Sequence, residues 1–159
     1  MKNKIKPLAF SGKWDLDPAP ESTDHISIKD QYGLFINGKF KNPSSGNYFP
    51  SINPATEEKL SMIAEANDKD VNDAVSAARK AYNGVWSKMT AKERGKYIYR
   101  IARLIQEKSR ELAVIESLDG GKPIRESRDV DVPITAAHFF YYAGWTDKLK
   151  YAFPNRNPR

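Results

Sequence analysis

The sequence predicts an α/β chain, incomplete as given, in which short hairpin strands come first and about four helices follow. Three observations carry this expectation. An Asn37-Gly38 pair sits among apolar residues in the first half of the chain, the strongest short-range signal for a hairpin. From Asn67 onward, apolar residues recur at helical spacing behind capping residues. Several amphipathic helices need a sheet to cover, yet no run of buried parallel strands is present to supply it.

Taken in order, residues 1–31 read as an irregular arm. Apolar residues are sparse there, and Pro18, Pro20 and Glu21-Ser-Thr-Asp24 interrupt any regular element. The pattern changes at Tyr32. Leu34 to Phe40 flank the Asn37-Gly38 pair, whose tolerance of positive φ suits a type I′ turn. A loop follows at Asn42-Pro-Ser-Ser-Gly-Asn47. Tyr48, Phe49 and Ile52 form an extended piece stopped by Asn53-Pro54, and Lys59 to Ala64 reads as a strand with period-2 character.

The helices begin at Asn67 or Asp68 as cap, with Asp70 in the first turn. Val71, Val75, Ala78 and Tyr82 form the apolar stripe and Gly84 the end. Thr90-Ala-Lys-Glu93 is a capping box opening a second helix, with Tyr97, Ile98, Ile101, Leu104 and Ile105 as its expected buried stripe. Leu112, Ile115 and Leu118 mark a third helix, ended by Gly120-Gly121. Pro123 suits the first turn of a last helix reaching about Tyr142, and Pro133 inside it predicts a kink or break.

Composition narrows the function classes. With no cysteine, a disulfide framework and a thiolate metal site are excluded. No apolar run approaches the roughly 18 residues of a membrane span. The basic start, Met1 to Pro7, leads into no apolar signal core, so a cytoplasmic address is the default. The net charge of +6 is concentrated on Lys92, Arg94, Lys96, Arg100, Arg103, Lys108 and Arg110. Without an aromatic platform or a recognised motif beside it, this stripe reads as a solvated helix face, not a nucleic-acid footprint. His25 and His138 are too far apart to share a metal, and His138 reads as a packed or capped side chain. Asp129 and Asp131 beside Arg125 and Arg128 read as a salt-bridged helix face. Gly120-Gly-Lys122 lacks the remaining residues of a phosphate loop.

Three segments form a specific series: Phe49-Pro-Ser-Ile-Asn-Pro-Ala-Thr-Glu-Glu58, Ser117-Leu-Asp-Gly-Gly-Lys-Pro123 and Tyr141-Tyr-Ala-Gly-Trp145. Over about residues 32–150 the chain resembles the N-terminal portion of the NAD(P)-dependent aldehyde dehydrogenase family. The resemblance implies that residues 32–147 begin a Rossmann-like cofactor-binding domain, whose sheet comes mostly from later sequence. It also implies that residues 148–159 start an oligomerisation hairpin, and that the chain is the opening piece of a longer protein. Aldehyde oxidation with NAD or NADP in a homo-oligomer, a dimer or tetramer, would be the parent activity. That chemistry needs a cysteine thiolate to attack the aldehyde, an oxyanion hole, hydride transfer and a glutamate to activate water. The chain holds no thiol, so alone it is expected to be inactive, with no catalytic and no cofactor-binding residue of its own.

Residue by residue the resemblance implies little more. Asp119 matches a carboxylate that helps hold a structural cation, with backbone carbonyls near Ser51 and Ile52 as partners. Oxygen-only ligation suits Na⁺, K⁺ or Mg²⁺. Read without the resemblance, Asp119 simply orders the Gly-Gly turn. Val130 and Ile134 match positions at the mouth of the substrate tunnel, where their aliphatic side chains suit apolar aldehydes; read alone, they are helix packing residues. Tyr141, Tyr142 and Trp145 read as packing residues either way. The alternative function is a non-enzymatic interaction module that docks on a larger partner through its uncovered helix faces.

Overall fold

A computed structural model describes residues 23–153. Among them, five strands make two sheets and the helices follow, as the sequence predicts. Strands β2 (Leu34–Ile36) and β3 (Lys39–Lys41) form the hairpin. Asn37 (φ 54°) and Gly38 (φ 75°) both lie in the left-handed region, as a type I′ turn requires. The turn sets Phe35 opposite Phe40, with ring centroids 5.0 Å apart. Gly38 has open space around its α-carbon, so Gly38→Ala adds only backbone strain. We expect a loss of about 1 kcal/mol, read as a lower urea midpoint at unchanged slope.

The three-stranded sheet runs β1 (Gln31–Tyr32), β5 (Lys59–Ala64), β4 (Tyr48–Ile52). β4 and β5 are antiparallel, with a register shift between Ser51 and Ile52. Their connection is closed by the Asn53 N–H donating to the Glu58 carbonyl at 2.9 Å and the Glu57 N–H donating to the Asn53 carbonyl at 2.8 Å. One parallel pairing, two residues long and short of a buried run, is added to what the sequence signals: Gln31 meets Met62 and Tyr32 meets Ile63. The Met62 N–H donates to the Asp30 carbonyl at 2.9 Å. Nor does β5 alternate strictly. Its buried residues are Ser61 and Ala64, because the Ser61 hydroxyl turns inward to donate to the Lys29 carbonyl at 2.7 Å, which satisfies a polar group in the interior.

Helix α1 (Asp68–Asn83) starts with a capping box. The Asn67 side chain accepts from the Asp70 N–H, while the Asp70 carboxylate accepts from the N–H groups of Asn67 and Ser44. Gly84 ends the helix without adopting the left-handed conformation (φ −85°). The expected apolar stripe of α1 is exposed, Val71 at 52% and Tyr82 at 61%. A short 3₁₀ turn (Trp86–Lys88) leads to α2 (Ala91–Glu107), opened by the reciprocal Thr90/Glu93 box. The Thr90 N–H and hydroxyl hold the Glu93 carboxyl below its usual range.

The stripe expected to be buried on α2 is corrected by the structure. Tyr97, Ile101 and Leu104 are exposed, Ile98 and Ile105 half-buried, and the fully buried positions are Gly95 and Ala102. The cause is the partner. α2 packs on α5 (Val132–Trp145) through small residues, Ala102 here and Ala136 there, so the backbones come close and larger neighbours are turned outward. α3 (Ser109–Gly120) likewise buries Ala113 and Val114 in preference to Leu112. It ends as predicted at a left-handed Gly121 (φ 70°), which sits against Pro54.

The last helix differs in two ways. It begins as the short α4 (Ile124–Glu126), widens into a π turn (Ser127–Asp131) and continues as α5 to Trp145, beyond the expected Tyr142. The break expected at Pro133 takes the form of that π turn. Pro133 has no N–H to offer, and the Val132 N–H reaches back five residues to the Ser127 carbonyl. Tyr141 and Tyr142 are exposed and meet edge-on at 5.2 Å between centroids, and Tyr141 also lies 6.1 Å from the half-buried Trp145. His138 is exposed, not packed, because it lies on the α5 face turned away from α2. After α5 comes α6 (Leu149–Ala152). Residues 154–159, the rest of the segment expected to start a hairpin, lie outside the described residues, as do residues 1–22 of the arm.

Candidate functional site

Two clusters contain the sequence-predicted site residues. The first joins the sheet to α3. The Ser51 hydroxyl on β4 donates to Oδ1 of Asp119 in the last turn of α3. Both border a cleft of about 190 Å³ with Ile28, Tyr32, Ser61 and Ile115. Ile52 follows at the register shift, exposed. Thus Ser51 and Asp119 meet through side-chain oxygens and, together with Gly121 against Pro54, fasten the end of α3 to the β4–β5 connection. Among the described residues no three His, Cys, Asp or Glu side chains gather as metal ligands.

The second cluster is the π turn. Val130 and Ile134 stand one turn apart, 46% and 49% exposed, as an open aliphatic edge. Behind them, Ser127 is fully buried, its hydroxyl 3.3 Å from that of Ser117 on α3. The Lys122 ammonium binds the Asp131 carboxylate and lies 3.5 Å from Glu116. The hydrogen bond to Asp131 and the two carboxylates' charge raise the Lys122 pKa above its ordinary value, against partial desolvation. The Thr135 hydroxyl donates to the Asp131 carbonyl at 2.7 Å. Arg128 grips Asp129 with two bonds, at 2.6 and 2.9 Å, holding that carboxyl below its usual range.

The expected salt-bridged face is therefore present for Arg128 and Asp129, while Asp131 turns to Lys122. Sequence reasoning does not single out Ser117, Ser127 or the pairing of Lys122. A proline within a helical pattern was the available signal, since the turn before it must rearrange. Elsewhere, Arg103 and Lys108 of the basic stripe pair with Glu107 and Glu111 on the solvent surface. No helix is long and apolar enough to cross a membrane among the described residues.

A dinucleotide does not fit the described residues. Its pyrophosphate needs a glycine-rich turn from a strand into a helix N-terminus. Here the parallel pairing is two residues long, and α1 is entered through Asn67, in a capping box that takes up the N–H groups of Asn67 and Asp70 and sets the Asp70 carboxylate at the helix start.

The Aldehyde dehydrogenase family model matches residues 40–158. An aldehyde dehydrogenase of Alternaria alternata is 45% identical over 118 residues, covering 74% of this chain and 24% of that protein. Retinal dehydrogenase 2 of Homo sapiens is 40% identical over 148 residues, covering 92% and 28%. Among solved structures, the NAD⁺ complex of aldehyde dehydrogenase from Bacillus cereus superposes with a TM-score of 0.75 at 43% identity, covering 77% of this chain and 25% of that one. The chain spans about a quarter of the length of these relatives. Order of strands and helices, shared fold and sequence identity agree: the chain belongs to the aldehyde dehydrogenase family.

Proposed function

We propose that the chain is the N-terminal segment of an aldehyde dehydrogenase that oxidises aldehydes to carboxylic acids with NAD⁺ or NADP⁺ and works as a homo-oligomer. The observation that carries this reading is the family match over residues 40–158, a span that includes Ser51, Asp119 and the π turn. On this reading, Val130 and Ile134 form one edge of an apolar substrate tunnel whose other walls come from outside the chain. Their exposure side by side supports that role. Asp119 and Ser51 fasten α3 to the sheet; a structural Na⁺, K⁺ or Mg²⁺ there would need further oxygen ligands. The chain alone is inactive, since it has no cysteine to act as nucleophile.

The test is the intact mass of the native protein captured by an antibody to residues 1–30, followed by an assay of NAD(P)H formation with an aldehyde. We expect a mass well above 18.0 kDa, aldehyde-dependent NAD(P)H formation by the captured protein, and none from the 159-residue chain. A native mass of 18.0 kDa would overturn the proposal and favour an interaction module docking through the exposed faces of α1 and α2. Turnover by the chain alone would overturn the assignment of the chemistry to residues outside it.

A further inference from the structure

The π turn is held at both of its ends, and both holds reach back toward α3. At its start, the fully buried Ser127 meets the Ser117 hydroxyl of α3. At its finish, Asp131 binds the Lys122 ammonium, which also faces Glu116 of α3. Lys122 follows directly on the left-handed Gly121 that ends α3, so its backbone is fixed where the bridge begins. Val130 precedes Asp131 and Ile134 follows it by three, and the Asp131 carbonyl is itself engaged by Thr135. A π turn carries one residue more than an α turn. If it relaxed to α geometry, the residues before it would rotate by about 100° relative to those after it. Val130, inside the turn, and Ile134, after it, are four residues apart and keep one face in either geometry, but the edge they form would turn relative to α3.

We infer that Lys122 is a positioning residue, bridging Glu116 and Asp131 so that the π turn persists and the aliphatic edge of Val130 and Ile134 keeps its direction relative to α3. The inference rests on the proposed tunnel role of that edge for its consequence in catalysis, but the bridge itself stands on geometry. Neither Val130 nor Ile134 is a member of the bridge. Its loss acts through the turn: the edge becomes mobile, and apolar aldehydes lose contact area before the reaction begins. Arginine can make the same two-carboxylate bridge; methionine has similar length and no charge.

The experiment uses the complete protein with Lys122→Met and Lys122→Arg. Steady-state kinetics are run with acetaldehyde and hexanal, and amide hydrogen exchange is followed over residues 127–135. For Lys122→Met we expect the hexanal KM to rise about fivefold to tenfold, with little change for acetaldehyde and kcat within about twofold. Exchange across the turn should quicken about tenfold. Lys122→Arg should restore both. Equal exchange in Lys122→Met and wild type would sink the inference. So would a fall in kcat shared by both aldehydes, which would mark a general loss of folded enzyme. A wild-type protein that oxidises no aldehyde would instead end the functional reading, and the exchange data would still decide the bridge.

Discussion

Replacing Gly95 with valine is expected to lower the melting temperature by about 5–10 °C. A Cβ built at Gly95 lies 2.5 Å from the Thr146 hydroxyl and 3.1 Å from the Ala143 carbonyl. The hydroxyl could rotate away only by giving up its own bond to that carbonyl, at 3.0 Å, and the carbonyl belongs to the α5 backbone. Overpacking of this kind costs about 3 kcal/mol, against which valine's better helix propensity returns about 0.5 kcal/mol. For a chain of this size each kcal/mol moves the transition by roughly 2–4 °C. Gly120 is the control. It is also helical, but nothing lies within 4 Å of its Cβ position, so Gly120→Ala should be neutral or slightly stabilising. Thermal scans by circular dichroism compare the two. Equal melting of Gly95→Val and wild type would mean that α2 and α5 do not approach as closely as described.

The second large effect concerns Asp70 and is read against pH. Burial alone would raise its pKa, but the N–H groups of Ser44 and Asn67, the Ser44 hydroxyl and Lys69 together bring it below the ordinary 3.8. A carboxyl with a lower pKa in the folded state stabilises fully above its unfolded value, and the contribution fades as pH falls through the folded value. We expect Asp70→Ala to melt well below wild type at neutral pH, with the gap unchanged down to about pH 5 and closing below about pH 4. Melting curves from pH 7 to 2 check this. A gap independent of pH would show that the carboxylate charge is not what holds the α1 cap to the Asn42–Asn47 loop.

These two positions also show what was legible in the sequence. Asp70, Asn67, Thr90 and Glu93 could be placed in advance because a cap is made by residues three apart, whatever surrounds them. The Asn37-Gly38 turn was legible for the same reason: φ preference is a local property. Gly95 and Ala102 were not, because hydrophobicity nominated Tyr97, Ile101 and Leu104, and which face is buried depends on the helix that arrives from forty residues away. Small residues seven apart were the only trace of that close approach. The parallel pairing of β1 is too short to leave a pattern. In the candidate sites, Ser51, Asp119, Val130 and Ile134 came from resemblance to a family, and no spacing rule would have selected them. Lys122 and Ser127 were hidden because an ion pair nine residues long in sequence and a π turn have no periodic signature.

The pairing of Gln31 with Met62 sets an order in time. During synthesis from the N-terminus, β1 emerges first of the described strands, yet its bonding partner is made thirty residues later. The β2–β3 hairpin and the β4–β5 pair can close in the meantime from neighbours alone, at the microsecond pace of local contacts. β1 must wait, unpaired, and then joins the free edge of β5 as its last strand. β1 is thus finished after the strands that follow it, and residues 23–30 take their final path only when β5 has been built.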